Sequence, residues 1–221
     1  MINVVDVYVK AYLRAMKSVY DIDGQPTHMH SGHTQPSIIR MICEDMGLSS
    51  DVINAGLKRA VEILTDTTIT LLADDLRPAV LPGVVEVLDA LKQAGHALAL
   101  VTGTVSRSAR VILERSGLQR YFPVGAFGDE GNERVALLHL AIDRATRTYG
   151  LEPDHRRLVV VGDSPRDIQA GKALHARVIA VATGYHTPDM LAQYNPDAIL
   201  LDFSDRQIAL KAILGEHQEF T

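Results

Sequence analysis

The sequence predicts an α/β protein in two parts: a helical lobe over residues 1–79, then a parallel sheet with helices on both faces over residues 80–221. Three observations carry this. Apolar residues recur at helical spacing before residue 80. After it, short apolar runs alternate with amphipathic stretches, the pattern of a parallel sheet covered by helices. Between the two regimes, Arg77-Pro78-Ala79-Val80-Leu81-Pro82-Gly83 places two prolines and a glycine, which interrupt helix and strand alike.

Taken in order, Val9, Tyr12, Leu13, Met16 and Tyr20 share one helical face, and Ile38–Met46 and Val52–Leu76 also read as helices. Together they predict a small helical bundle. Beyond Gly83 the pattern predicts a helix over 84–94, a strand over 97–101, a helix over 106–116 and a strand over 122–127. A helix over 133–149, a strand over 158–162, a helix over 165–173 and a strand over 177–182 follow. A strand at Ala198–Leu201 and a helix at Arg206–Leu214 close the domain. Ala97–Val101 and Leu158–Val161 are apolar without alternation, as expected of strands buried on both faces.

Composition narrows the function classes. Hydrophobic residues at 47%, charged residues at 22% and a mean hydropathy of +0.05 are those of an ordinary globular protein. No apolar run approaches the ~18 residues that span a bilayer, so no membrane partner is expected. The net charge is −5 and no basic cluster stands free of acids, which excludes an electrostatic nucleic-acid surface. Absence of a secretory pattern and a single cysteine, Cys43, predict a reducing, cytoplasmic setting.

In a parallel sheet, ligands gather beyond the carboxyl ends of the strands. Three places stand there. Val101-Thr102-Gly103-Thr104 ends a strand in a hydroxyl and a tight turn, before a helix that Ser106 could cap; such a turn can cradle an anion, and it is also ordinary loop chemistry. Gly162-Asp163-Ser164-Pro165-Arg166-Asp167 predicts Ser164 as an N-cap, Pro165 at the first helical position and Asp167 in the first turn. Its two carboxylates can converge on a hard cation such as Mg²⁺, although capping alone accounts for Asp167. Arg134 opens a helix against the helix dipole and so needs a compensating phosphate or carboxylate, unless it is simply solvated.

These three motifs together resemble the haloacid dehalogenase superfamily, in particular its small phosphatases of the phosphoglycolate phosphatase type. Leu81-Pro-Gly83, Ala126-Phe-Gly-Asp129 and Ala182-Thr-Gly184 extend the resemblance over the core. It implies a Rossmann-like core with a helical cap, and an Mg²⁺-dependent phosphomonoesterase acting on a small phosphorylated metabolite. By the same resemblance Thr102, Gly103, Thr104 and Arg134 hold phosphate, Thr102 and Arg134 serving catalysis, and Asp163 with Asp167 binds the metal. Ser31-Gly32-His33-Thr34 resembles the cap loop over the active site, making His33 and Thr34 candidates for substrate contact; His28 and His30 are weaker ones, and Asp129 and Glu130 carry no assignment.

The family's nucleophile lies in an Asp-x-Asp at the tip of its first, central strand. Asp21-Ile-Asp23-Gly24 has the letters but follows a helical pattern and precedes a turn, and Asp6 has no acid two positions on. The expectation is therefore that this strand and its motif lie upstream of Met1. The readings that remain open are a phosphatase, a phosphosugar mutase on the same scaffold, and a phosphate- and metal-binding protein without turnover. A dehalogenase is disfavoured, since it has no need of a metal pair.

Overall fold

The computed structural model of the protein describes residues 1–27, 30–151 and 157–215. Its N-terminal half is three helices, α1 (Val5–Tyr20), α2 (Gln35–Asp45) and α3 (Ser50–Leu71). Tyr12, Met16, Ile39, Ile42, Cys43, Ile53 and Leu64 are buried between them. The buried face of α1 includes Ala11 and Ala15, whose small side chains let α3 approach, while Leu13, expected on that face, is exposed. Asp6 lies in the first turn of α1, on helix and not on strand. Helix α3 stops five residues short of the expected Leu76. Arg115 donates to the carbonyls of Leu72 and Ala73 at 2.8 and 3.2 Å, and Leu72 and Leu76 turn away to pack on Ile112.

The second half comprises α4 (Val84–Gln93), β1 (Ala99–Val101), α5 (Ser106–Arg115), β2 (Val124–Ala126), α6 (Arg134–Tyr149), β3 (Val159–Gly162), α7 (Pro165–Ala173), β4 (Arg177–Val181), α8 (Pro188–Ala192), β5 (Ala198–Leu200) and α9 (Arg206–Leu214). Every strand pairing is parallel, but in two blocks: β1 with β2, and β3-β4-β5. The blocks belong to one layer, because they share a core on each face. Leu100, Ile179, Val181 and Leu200 pack with α4 and α9 on one side. Val101 and Val160 meet Leu138 of α6 on the other. Among the described residues no strand joins β1 to β3. The expectation that both runs are covered on both sides therefore fails at Ala97 and Ala99 in the first and at Val161, 42% exposed, in the second. Ala97 precedes β1, and Ala99 and Val161 each lie on a strand with an unpaired edge.

The other side of β2 is closed by side chains. Arg144 donates to the Gly125 carbonyl at 2.7 Å and grips Glu130, whose carboxylate accepts from the Phe127 N–H at 3.0 Å. Charged groups on an exposed strand edge block pairing with other chains. The Arg144 guanidinium, ahead of the opposing cost of burial, holds the Glu130 carboxyl below the usual carboxylate range. A depressed carboxyl stabilises the fold above the unfolded pKa and loses that contribution as the pH drops through the folded value. Glu130→Gln is thus expected to flatten the loss of stability below about pH 4 in acid titrations of thermal unfolding. An unchanged acid profile would show that the pair contributes nothing to the fold.

Candidate active site

Because the strands are parallel, Thr102 after β1, Asp163 after β3 and Arg134 at the start of α6 all lie at the carboxyl edge of the sheet. Residues 162–167 fold as the sequence predicts. Ser164 is the N-cap of α7, Pro165 its first residue, and Asp167 completes a capping box: the Ser164 N–H and O–H donate to Asp167 Oδ2 at 3.2 and 2.6 Å. Asp167 lies directly over Gly162, where any β-carbon would collide with it.

Arg134 is nearly buried, and its Nε lies 3.0 Å from Asp167 Oδ1, each side chain 12–13% exposed. The compensating partner for this cation at a helix start is thus a carboxylate, and the solvated-surface alternative falls. The contact is an ion pair without hydrogen-bond geometry, since Nε and Nη1 of Arg134 are buried donors with no acceptor. Buried donors without acceptors cost roughly 1–3 kcal/mol each, and a bound anion removes that cost.

Asp163 has an exposed edge, but its carboxyl is set against Gly184, whose missing side chain makes the room. Poor hydration, and after it the like charge of Asp167, pushes its pKa up. No third His, Cys, Asp or Glu joins the two carboxylates among the described residues.

In the loop after β1, the Thr102 hydroxyl oxygen accepts from the Thr104 N–H at 3.1 Å, while the Thr104 hydroxyl and the Tyr8 phenol hydrogen-bond at 3.0 Å. The Thr104 amide is spent inside the loop, so among the described residues the Thr102 O–H and the Gly103 N–H are the donors left to it. The helix that follows is capped from outside. Ser106 is its first residue, not its N-cap, and the Asp129 carboxylate accepts from the Ser106 N–H and O–H at 2.8 and 2.6 Å. Asp129 and Glu130 thus hold structure at the edge of the site.

The segment 32–35 of the helical lobe bridges these parts. Gly32, at φ 79°, rests on Ser164 and Arg166, and the His33 carbonyl rests on Gly103, where a β-carbon would strike it. Burial, then the Arg166 charge, lowers the His33 pKa, and its Nε2 is buried with no partner. Thr34 is 2% exposed and caps α2, its oxygen accepting from the Ser37 N–H at 3.4 Å while its hydroxyl donates to Ser37 Oγ at 2.9 Å. His30 is buried, its Nδ1 accepting from the Thr27 N–H at 2.8 Å; His28 lies outside the described residues. Asp21 and Asp23 are exposed and pair with Lys17 at 2.9 and 3.6 Å.

Comparison with known proteins decides the family: the profile of the haloacid dehalogenase-like hydrolases matches residues 47–175, more than half of the chain. The chain belongs to the haloacid dehalogenase-like hydrolases. Among curated members of this superfamily it is 35% identical over 123 residues to a phosphoglycolate phosphatase of Agrobacterium fabrum, covering 56% of this chain and 51% of that one. It is 31% identical over 138 residues to the phosphoglycolate phosphatase of Salmonella typhi, covering 62% and 54%. The chain thus spans about half the length of the curated haloacid dehalogenase-like relatives it matches. A hydrolase from Pseudomonas syringae shares the fold, with a TM-score of 0.73 at 18% identity, covering 96% of this chain and 93% of that one. No helix among the described residues is long and apolar enough to cross a membrane.

Proposed function

We propose that this protein handles the phosphate group of a small phosphorylated metabolite as an Mg²⁺-dependent phosphate monoester hydrolase. Thr102, Gly103 and Arg134 hold the phosphate, Asp163 and Asp167 hold the metal, and His33 reads the rest of the substrate. The observation that carries this is Arg134, a nearly buried cation with two donors lacking acceptors, one of them drawn up to Asp167. The relatives named for phosphoglycolate support a small anionic substrate.

The donor set fits magnesium. Both oxygens of Asp167 are engaged, by Ser164 and by Arg134, so Asp163 is the carboxylate with oxygen to give. One carboxylate ligand in Asp163, with Asp167 reached through water, would suit an ion that retains most of its waters. When bound, it would neutralise charge that develops on the phosphoryl oxygens. Asp167 would orient the metal's water and keep Arg134 turned toward the anion. The neutral form of His33 can accept or donate one hydrogen bond to the substrate without adding charge.

A second reading, phosphate and metal binding without turnover, is favoured by one observation: no further carboxylate joins Asp163 and Asp167 among the described residues to act as nucleophile. One experiment separates the two. Calorimetric titration of the 221-residue protein with inorganic phosphate in Mg²⁺ is expected to show binding under either reading, whereas Mg²⁺-dependent hydrolysis of p-nitrophenyl phosphate is expected of the hydrolase and an intact ester of the protein without turnover. Asp163→Asn should weaken Mg²⁺ binding by at least about tenfold. Absence of phosphate binding would sink both readings, and hydrolysis lost in Asp21→Asn would overturn the exclusion of that motif.

A further inference from the structure

The loop after β1 is gripped from the helical lobe by two helices. Gln35, the first residue of α2, donates its backbone N–H to the Gly103 carbonyl at 2.8 Å, and its side-chain Oε1 accepts from the Val105 N–H at 2.9 Å. From α1, the Tyr8 phenol meets the Thr104 hydroxyl at 3.0 Å. Gln35 is only 4% exposed although its side chain is polar and stands at a helix start, where solvent is the ordinary partner. Burying such an amide costs free energy unless it is bonded, and here the bond is to a loop 70 residues away. Burial pushes the Tyr8 phenol up to about 12, so it stays a neutral hydroxyl.

The effect on the loop follows from its donors. The Val105 N–H goes to Gln35 and the Thr104 N–H to Thr102 Oγ1, while the Thr104 hydroxyl is paired with the Tyr8 phenol. Among the described residues the Thr102 O–H and the Gly103 N–H are left for a ligand. From below, the Gly128 N–H donates to the Thr104 carbonyl at 2.9 Å, so the loop is fixed on the core side whatever the lobe does. The lobe therefore sets only the face on which an anion would rest.

We infer that Gln35 and Tyr8 are positioning residues: from the helical lobe they fix the conformation of the loop 102–105 and with it the face on which an anion rests at Thr102. This rests on the phosphate reading of the loop given above.

The test uses the full chain as wild type, Gln35→Met, Tyr8→Phe and the double variant. Arg107→Ala serves as control, since it breaks the Arg107–Asp66 pair between α5 and α3 without touching the loop. Two quantities are read: inorganic phosphate affinity by calorimetry in Mg²⁺, and hydrogen exchange at the Thr104 amide in the ligand-free protein, an amide that neither side chain bonds. Gln35→Met should weaken phosphate binding on the order of tenfold and accelerate exchange at Thr104. Tyr8→Phe should do so less, and the double variant should lose less than the product of the two, because both act through one loop. Arg107→Ala should change neither. Unchanged exchange at Thr104 in Gln35→Met, or losses in affinity no greater than those of Arg107→Ala, would overturn the inference. If the wild type binds no phosphate, the phosphate reading fails, and the exchange measurement still decides whether the lobe shapes the loop.

Discussion

Gly128→Ala is expected to cost at least about 3 kcal/mol of stability, one of the largest effects available to a single methyl group in this protein. Three stretches of backbone stack here with nothing between them. A β-carbon on Gly128 would collide with the Gly103 carbonyl, and one on Gly103 with the His33 carbonyl. Side chains with free rotamers could swing aside; carbonyls held by the Gln35 N–H and by the loop itself cannot. To relieve the clash the Gly103 carbonyl must leave Gln35, which also unseats segment 32–35 from the site. Gly47→Ala is the control, because Gly47 has φ 80° but open space around it, so only the backbone conformation is taxed, at ~1–2 kcal/mol. Urea unfolding of the two variants should therefore separate them clearly. Equal losses would mean that the stack at Gly128 yields without resistance.

How much of this was legible in the sequence depends on whether the cause is local. Helices α7 and α9 begin and end where the sequence predicts, because their stops and starts are written beside them: Ser164-Pro165 opens α7 and Asp205 caps α9 with its own side chain. Strand ends were overestimated, β1 beginning at Ala99 instead of residue 97, since a strand extends only as far as a neighbour pairs with it. Helix α8 escaped notice: five residues are too few for a 3.6-residue period to show, although Thr187-Pro188 is a legible N-terminal cap.

The same distinction runs through the site. Thr102, Asp163, Asp167 and Arg134 stand out because each follows a strand or opens a helix, positions visible in the local pattern. Gln35 does not, being a polar residue near a helix start like many others; only the fold reveals that its partner is the amide of Val105. Asp129 is similar, its capping of α5 depending on a contact 23 residues away in the chain. His33 was found through its neighbours in the loop, yet the reason its pKa falls, burial and then Arg166, belongs to the tertiary structure.

Arg134→Met is expected to weaken phosphate binding by about 10- to 100-fold, the loss of charge-assisted donors, and to lower stability by about 3–5 kcal/mol, because Asp167 is left as a nearly buried carboxylate without its cation. Stability alone would not distinguish an anion-binding arginine from one that merely fastens α6 to α7. The double variant Arg134→Met/Asp167→Asn does. Removing the stranded charge should recover a large part of the lost stability, since replacing both members of a buried ion pair is far less harmful than removing one. Phosphate binding, in contrast, should remain as weak as in Arg134→Met, because no donor has been returned to the site. Calorimetry and chemical unfolding on the same samples read the two quantities separately. If affinity recovers together with stability, Arg134 acts on the phosphate only through the packing of its two helices, and the burial of its unsatisfied Nε and Nη1 has no bearing on ligand capture.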